Sequence, residues 1–214
     1  MRKFTAEEFD EKTAFFDAMA CSPWFYNLQE ELWHWNGFSN PVNLLDVGCG
    51  TGRLLIRKSA SAQKAVGIDL SAGMVQAAEE LAGPRNKNVQ FLQGDAESMP
   101  FQDREFDTVM CTCVLFLMPD PSKMVREIYR VLRPGGHLAL LNPAPYLTKA
   151  AAEKAAETLP PQERPMLIQW GRVAEKRHRF SEKAMEELLQ KEGFLKVDSC
   201  ISESGLGMLT TAVK

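Results

Sequence analysis

Three groups of residues in this chain could do chemistry together. The run Asp46-Val47-Gly48-Cys49-Gly50-Thr51-Gly52 sets three alternate glycines just after a carboxylate. Without a Cβ, such a turn lets the backbone pass close to a ligand. A strand turning into a helix also aims backbone N–H groups at whatever lies over the strand end. Asp69 and Asp95 follow further apolar runs, where a carboxylate can accept hydrogen bonds from hydroxyl or amine groups. Together they read as a binding site for a polar small molecule at one edge of a sheet.

Strands must carry these residues to that edge. Apolar runs predict strands over 43–47, 65–69, 89–92, 106–112 and 137–141. Between them lie helical patterns. Ser71 caps one whose inner side is Met74, Val75, Ala78 and Leu81, with Gly83-Pro84 as its stop. Asp120-Pro121 opens another, with Met124, Val125, Ile128 and Leu132 inward, and Arg133-Pro134-Gly135-Gly136 ends it. Such alternation is that of a parallel sheet with helices on both faces. Residues 1–40 read as an aromatic-rich helical leader, and residues 41–143 as the ligand-binding core. Residues 144–180 have helical stretches and no strand, the mark of an insertion. Residues 181–214 hold a helix opened by Phe180-Ser181 and stopped at Gly193, then two strands over about 194–200 and 207–213.

The whole chain sets bounds. Its 214 residues fit a single domain. A net charge of −3 argues against nucleic acid as a main partner. Five cysteines without a CxxC pair point to a reducing cytoplasm and to no metal site. No signal-peptide pattern and no apolar run of membrane-spanning length is present.

The glycine turn by itself fits two ligands. Dinucleotide-binding folds carry G-x-G-x-x-G and an acidic residue about 20 positions on. Gly48, Gly50 and Gly52 give G-x-G-x-G instead, with Asp69 near that distance. The wider order of motifs decides between them. The glycine run is followed by Gly67-Ile68-Asp69-Leu70-Ser71, Gly94-Asp95-Ala96-Glu97-Ser98-Met99-Pro100-Phe101, Phe106-Asp107 and Leu132-Arg133-Pro134-Gly135-Gly136. This order resembles the class I S-adenosylmethionine-dependent methyltransferases, within them the small-molecule group that includes quinone-biosynthesis enzymes. The resemblance is strong over residues 40–142 and loose over 180–214. It implies an α/β fold: a Rossmann-like, doubly wound, seven-stranded and mostly parallel sheet whose last strand is antiparallel.

The resemblance also implies roles. Asp46 and the backbone of Gly48, Cys49 and Gly50 would hold the amino-acid tail of S-adenosylmethionine. Asp69 would accept from the ribose hydroxyls, Leu70 and Met74 would flank the adenine, and Asp95 with Ala96 would meet its edge. Cys111 would lie beneath the cofactor. Structural roles compete with each of these: Asp46 and Asp95 could order their own turns, Asp69 could cap a helix, and Met74 could be core.

No catalytic residue emerges. The loop Cys113-Val114-Leu115-Phe116-Leu117-Met118 is apolar, with Phe116 where the family often has histidine. His137 sits at the edge away from the ligand, while His34 and His178 read as surface residues. The leader and the insertion are expected to form an acceptor pocket from Phe16, Trp24, Phe25, Phe116 and Trp170, with Tyr26 and Tyr146 as further candidates. Lys176-Arg177-His178-Arg179 could attract an anionic substrate or be a solvated charge run. In some relatives thiolates bind soft metalloids, which would involve Cys21, Cys111 and Cys113; buried small hydrophobes is the favoured reading of these cysteines. The expected function is in-line methyl transfer from S-adenosylmethionine, yielding S-adenosylhomocysteine, to a small-molecule acceptor. A non-catalytic S-adenosylmethionine-binding protein is the alternative, and a dehydrogenase is third. Acceptor and oligomeric state stay open.

Overall fold

The computed structural model describes residues 1–35 and 41–214; the last five residues of the expected leader, 36–40, lie outside the described residues. Seven strands form one sheet in the order β3-β2-β1-β4-β5-β7-β6. They are β1 (Asn43–Val47), β2 (Lys64–Asp69), β3 (Val89–Gln93), β4 (Phe106–Thr112), β5 (Leu132–Pro143), β6 (Leu195–Ile201) and β7 (Gly207–Val213). The first five pair in parallel. Strand β7 runs antiparallel between β5 and β6.

Helices cover both faces. They are α1 (Ala6–Asp10), α2 (Thr13–Cys21), α3 (Pro23–Trp35), α4 (Arg53–Lys58), α5 (Ala72–Ala82), α6 (Pro121–Val131), α7 (Lys149–Ala156), α8 (Arg164–Glu175) and α9 (Glu182–Lys191). Strands β1 and β4 are buried along nearly their whole length because both of their faces are covered; Leu44, Leu45, Phe106 and Val109 are wholly buried. The expected caps form: the Ser71 side chain accepts from Met74 N–H, and that of Asp120 from Ser122 N–H. None of the described helices is long and apolar enough to cross a membrane.

One boundary differs. Residues 132–136 do not merely end α6; Leu132 already pairs with Phe106 as the start of β5. A bulge then precedes the pairing of Thr108 with His137. Gly135, with φ +75°, donates its N–H to the carbonyl of Lys214. The run that reads as a helix stop therefore also opens a strand.

Strand β1 ends at the glycine turn, β2 at Asp69 and β3 just before Asp95, all at the carboxyl edge of the sheet. The leader helices are fastened over this edge by three polar contacts. Asp10 accepts from Ser71 Oγ (2.5 Å) and Gly73 N–H (2.9 Å). Asp17 accepts from Thr51 Oγ1 (2.7 Å) and from Arg53 Nε and Nη2 (2.7 and 2.8 Å). Lys3 reaches Asp95 and Glu97.

Candidate active site

A cavity of about 780 Å³ opens where the leader, the sheet edge and α8 meet. Its sheet side is made by Asp46, Gly48, Cys49, Gly50, Asp69, Leu70, Met74, Asp95 and Ala96. Its opposite side is largely aromatic and aliphatic: Phe15, Phe16, Met19, Phe25, Phe116, Ile168 and Trp170.

The glycine turn has a different polarity from the expected one. Its N–H groups do not point out at a ligand. Those of Gly48 and Cys49 donate to the Ile68 carbonyl (2.7 and 3.1 Å), and that of Gly50 donates to Asp69 Oδ2 (2.8 Å). The φ of +72° at Gly48 and +54° at Gly50 makes this folding-back possible. A Cβ on Gly48 would run into Val114, so the loop after β4 packs directly on the turn; a Cβ on Gly50 would meet nothing within 4 Å.

With these three donors used internally, the sheet side is marked by three carboxylates, Asp46, Asp69 and Asp95. This is the wrong sign for a pyrophosphate and the right sign for a cation. Asp46 is 1% exposed, and its Oδ1 has no hydrogen-bond partner. Burial first, and then the neighbouring charge of Asp69, push its pKa up to about 7. A buried carboxylate oxygen left unpaired is costly, and an ammonium group arriving there would relieve that cost. Burial also raises the pKa of Asp69, although the N–H groups of Ser71, Gly50 and Leu70 oppose it. Burial acts upward on Asp95 as well, but there the hydrogen bond from Lys3 and that from Glu97 N–H prevail and the pKa is lowered.

Four expected residues lie off the cavity. Cys111 is packed in the core inside β4, because the chain turns toward the cavity only at Thr112 and Cys113. Trp24 stands behind the wall, its ring tilted 36° to that of Trp170 with centroids 5.5 Å apart. Tyr26 faces solvent under the Arg57 guanidinium (4.5 Å), and Tyr146 is 52% exposed. The histidines are also elsewhere: His34 contacts the Glu30 carbonyl through Nδ1, His137 pairs with Thr108 just after the bulge in β5, and His178 stacks on Phe180. Cys21 is exposed.

Several cavity residues escaped the sequence reading. Pro165, Ile168, Gln169, Arg172 and Val173 repeat at helical spacing on α8, a stripe that periodicity alone could have found. Cys113 carries φ +62°, uncommon for a residue with a side chain. Burial holds its thiol well above the ordinary pKa, so it is neutral. The Trp170 indole N–H is buried and has no hydrogen-bond partner.

Comparison with known proteins identifies the family. Residues 45–140 match the family described as a methyltransferase domain. The chain is 30% identical over 181 residues to a demethylmenaquinone methyltransferase of Lactococcus lactis, covering 73% of this chain and 67% of that one. It spans 40% to 47% of the length of three further relatives. Among solved structures, the [4+2]-cyclase SpnF superposes with a TM-score of 0.74 at 20% identity, covering 100% and 98% of the two chains. Phosphoethanolamine N-methyltransferase 2 of Haemonchus contortus, solved with S-adenosyl-L-methionine, gives 0.72 at 17%, covering 96% and 57%. The chain belongs to the class I methyltransferase family. It is an S-adenosylmethionine-dependent methyltransferase built on the Rossmann-like seven-stranded sheet.

Proposed function

We propose that the protein transfers a methyl group from S-adenosylmethionine, by in-line displacement, to a small and largely apolar acceptor bound against the aromatic wall. The observation that carries this reading is the continuity of one cavity, which joins the acceptor-rich strand tips to the apolar wall of leader and α8. The chain is read as one unit, with residues 1–40 and 144–180 as the cover over the core of 41–143 and the closing segment 181–214.

On this reading Asp46 takes the ammonium of the cofactor's amino-acid tail, and its unpaired Oδ1 fits that role. The Gly50 region lies alongside, where the absence of a Cβ leaves room. Asp69 keeps its bonds from Gly50 and Ser71 and uses its remaining lone pairs on the ribose hydroxyls. Asp95 and Ala96 meet the adenine edge, with Leu70 and Met74 beside the ring. S-adenosylmethionine supplies a methyl group already activated by its sulfonium.

The protein's own part is positioning and exclusion of water, which can lower a barrier by about 7–11 kcal/mol in well-oriented cases. Phe16, Phe116 and Trp170 hold the acceptor and keep the site dry. None of the described histidines lines the cavity, and the Cys113 thiol is neutral. The acceptor therefore brings its own nucleophile, either soft or readily ionised in water, such as the ring of an acidic phenol or hydroquinone. The demethylmenaquinone methyltransferase relationship supports a ring of this kind. Five free cysteines fit a reducing compartment.

The test is a screen of phenols, hydroquinones, thiols and amines for S-adenosylhomocysteine release. The expected result is turnover confined to ionisable aromatic acceptors, with Phe116→Ala raising KM. Binding of S-adenosylhomocysteine without turnover on any class would defeat the proposal.

A further inference from the structure

A second hollow of about 340 Å³ adjoins the cavity and shares Phe4, Gln169, Arg172 and Val173 with it. Its remaining lining is Met1, Arg2, Lys176 and Arg177. Four cationic side chains thus meet in one depression on a chain of net charge −3. They come from both ends of the cover: Arg2 from the start of the leader, the others from α8 and the residues just after it.

One of these four cations is paired with an acid. Arg2 is bound by Glu8 (2.5 Å). Among the described residues, Arg172, Lys176 and Arg177 make no ion pair: Arg172 donates to Gln169 Oε1 (3.2 Å), and Arg177 donates to the backbone carbonyl of Arg2 (2.8 Å). The Arg177 guanidinium lies 4.0 Å from the centre of the Phe4 ring, and that of Arg2 lies 5.5 Å from it on the same ring. Like charges gathered around one ring repel each other. Desolvation, and then the charge of Arg2, lower the pKa of Arg177. Three cations without an acid partner, gathered against the acceptor cavity, make a place where an anion would be held.

We infer that the acceptor carries an anionic group, a phosphate or carboxylate, which Arg172, Lys176 and Arg177 hold in this hollow while its aromatic portion lies against Phe116 and Trp170. This deepens the proposed function and rests on the aromatic cavity being the acceptor site. Phe4 and Val173 form the sill between the two spaces. An acceptor of this kind must come from a reaction that leaves an acidic substituent on an aromatic body.

The experiment compares 1-naphthyl phosphate with uncharged 1-naphthol, titrated by calorimetry into protein saturated with S-adenosylhomocysteine. The phosphate ester should bind at least about ten-fold more tightly, and the preference should shrink as salt rises. Arg172 and Lys176 are both exposed, so R172Q/K176Q should fold normally. That double variant should lose the preference while keeping wild-type affinity for S-adenosylhomocysteine, and R172K/K176R should restore it. Equal affinity of wild-type protein for the two probes overturns the inference, as does a preference that survives in R172Q/K176Q. If wild-type protein shows no preference but sediments with vesicles containing phosphatidylglycerol, and R172Q/K176Q does not, the cations serve a membrane surface and the inference is also overturned. Failure of the proposed function looks different: neither probe would bind to protein loaded with S-adenosylhomocysteine.

Discussion

Lys3 Nζ lies 2.6 Å from Asp95 Oδ2 and 2.8 Å from its Oδ1. The third residue of the chain thus holds the carboxylate at the tip of β3 that the family resemblance assigns to adenine. A half-exposed ion pair of this kind contributes about 0–1 kcal/mol, enough to hold a door but not to seal it. We expect Lys3→Ala to raise the dissociation rate of S-adenosylhomocysteine by about five-fold or less, and to make chymotrypsin cut sooner at Phe4 and Phe9. Asp95→Asn should instead weaken equilibrium binding, since the adenine edge loses its charged partner. Stopped-flow displacement and calorimetry separate the two effects.

Asp46 offers a test through pH. Its carboxyl has a pKa of about 7 in the free protein, so at pH 6 it is mostly protonated. A bound ammonium favours the ionised form. Binding of S-adenosylhomocysteine at pH 6 should therefore release a proton, which appears as a binding enthalpy that depends on the buffer's ionisation heat. Affinity should rise from pH 6 to pH 8 and then level off. Asp46→Asn should remove both effects. Stability carries the opposite sign. The folded state holds this proton more tightly than the unfolded chain, so Asp46 lowers stability as pH rises from about 4 to 7. The melting temperature of apo Asp46→Asn, relative to wild type, should therefore climb over that interval.

The two glycines of the turn separate folding from binding. At Gly48 an added methyl meets Val114 and the backbone is left-handed. Gly48→Ala should lose about 2–5 kcal/mol of stability. At Gly50 the backbone is also left-handed but the methyl meets only open space. Gly50→Ala should lose about 1–2 kcal/mol, stay folded and bind S-adenosylhomocysteine weakly. Chemical denaturation followed by a binding titration of each variant checks the pair.

Most of the sheet was legible because its central strands are buried on both faces and the helices between strands carry strong caps, as at Ser71 and Asp120. The positions of Asp46, Asp69 and Asp95 followed from strand ends. The direction of the turn's hydrogen bonds did not, because it depends on the Ile68 carbonyl and Asp69 of another strand. Cys111 and Thr112 differ by one residue, which in a strand is the difference between faces, and the sequence does not mark where β4 leaves the core. In the leader, Trp24, Phe25 and Tyr26 look alike as aromatics. Only their angle on α3 decides that Phe25 lines the cavity, Trp24 backs it and Tyr26 faces water.

The leader's polar contacts share one chemistry, which fixes their response to acid. Asp10 is held by Ser71 Oγ and Gly73 N–H, and Asp17 chiefly by Arg53, so both carboxyls have lowered pKa values. Asp95, held by Lys3, is lowered too. A carboxyl whose pKa is lowered on folding adds stability above its unfolded pKa of about 4 and loses it as pH falls through the folded value. All three contacts therefore weaken together below about pH 4. The middle of the sheet is held instead by apolar packing of Leu45, Val47, Phe106 and Val109. Acidification should release the leader before the sheet unfolds. Hydrogen exchange followed from pH 5 to pH 3, corrected for the intrinsic rate, should show protection lost first in α1 and α2. The double variant Asp10→Asn/Asp17→Asn should move that loss to higher pH without shifting the protection of β4. Simultaneous loss across leader and sheet would show that the cover and the core unfold as one.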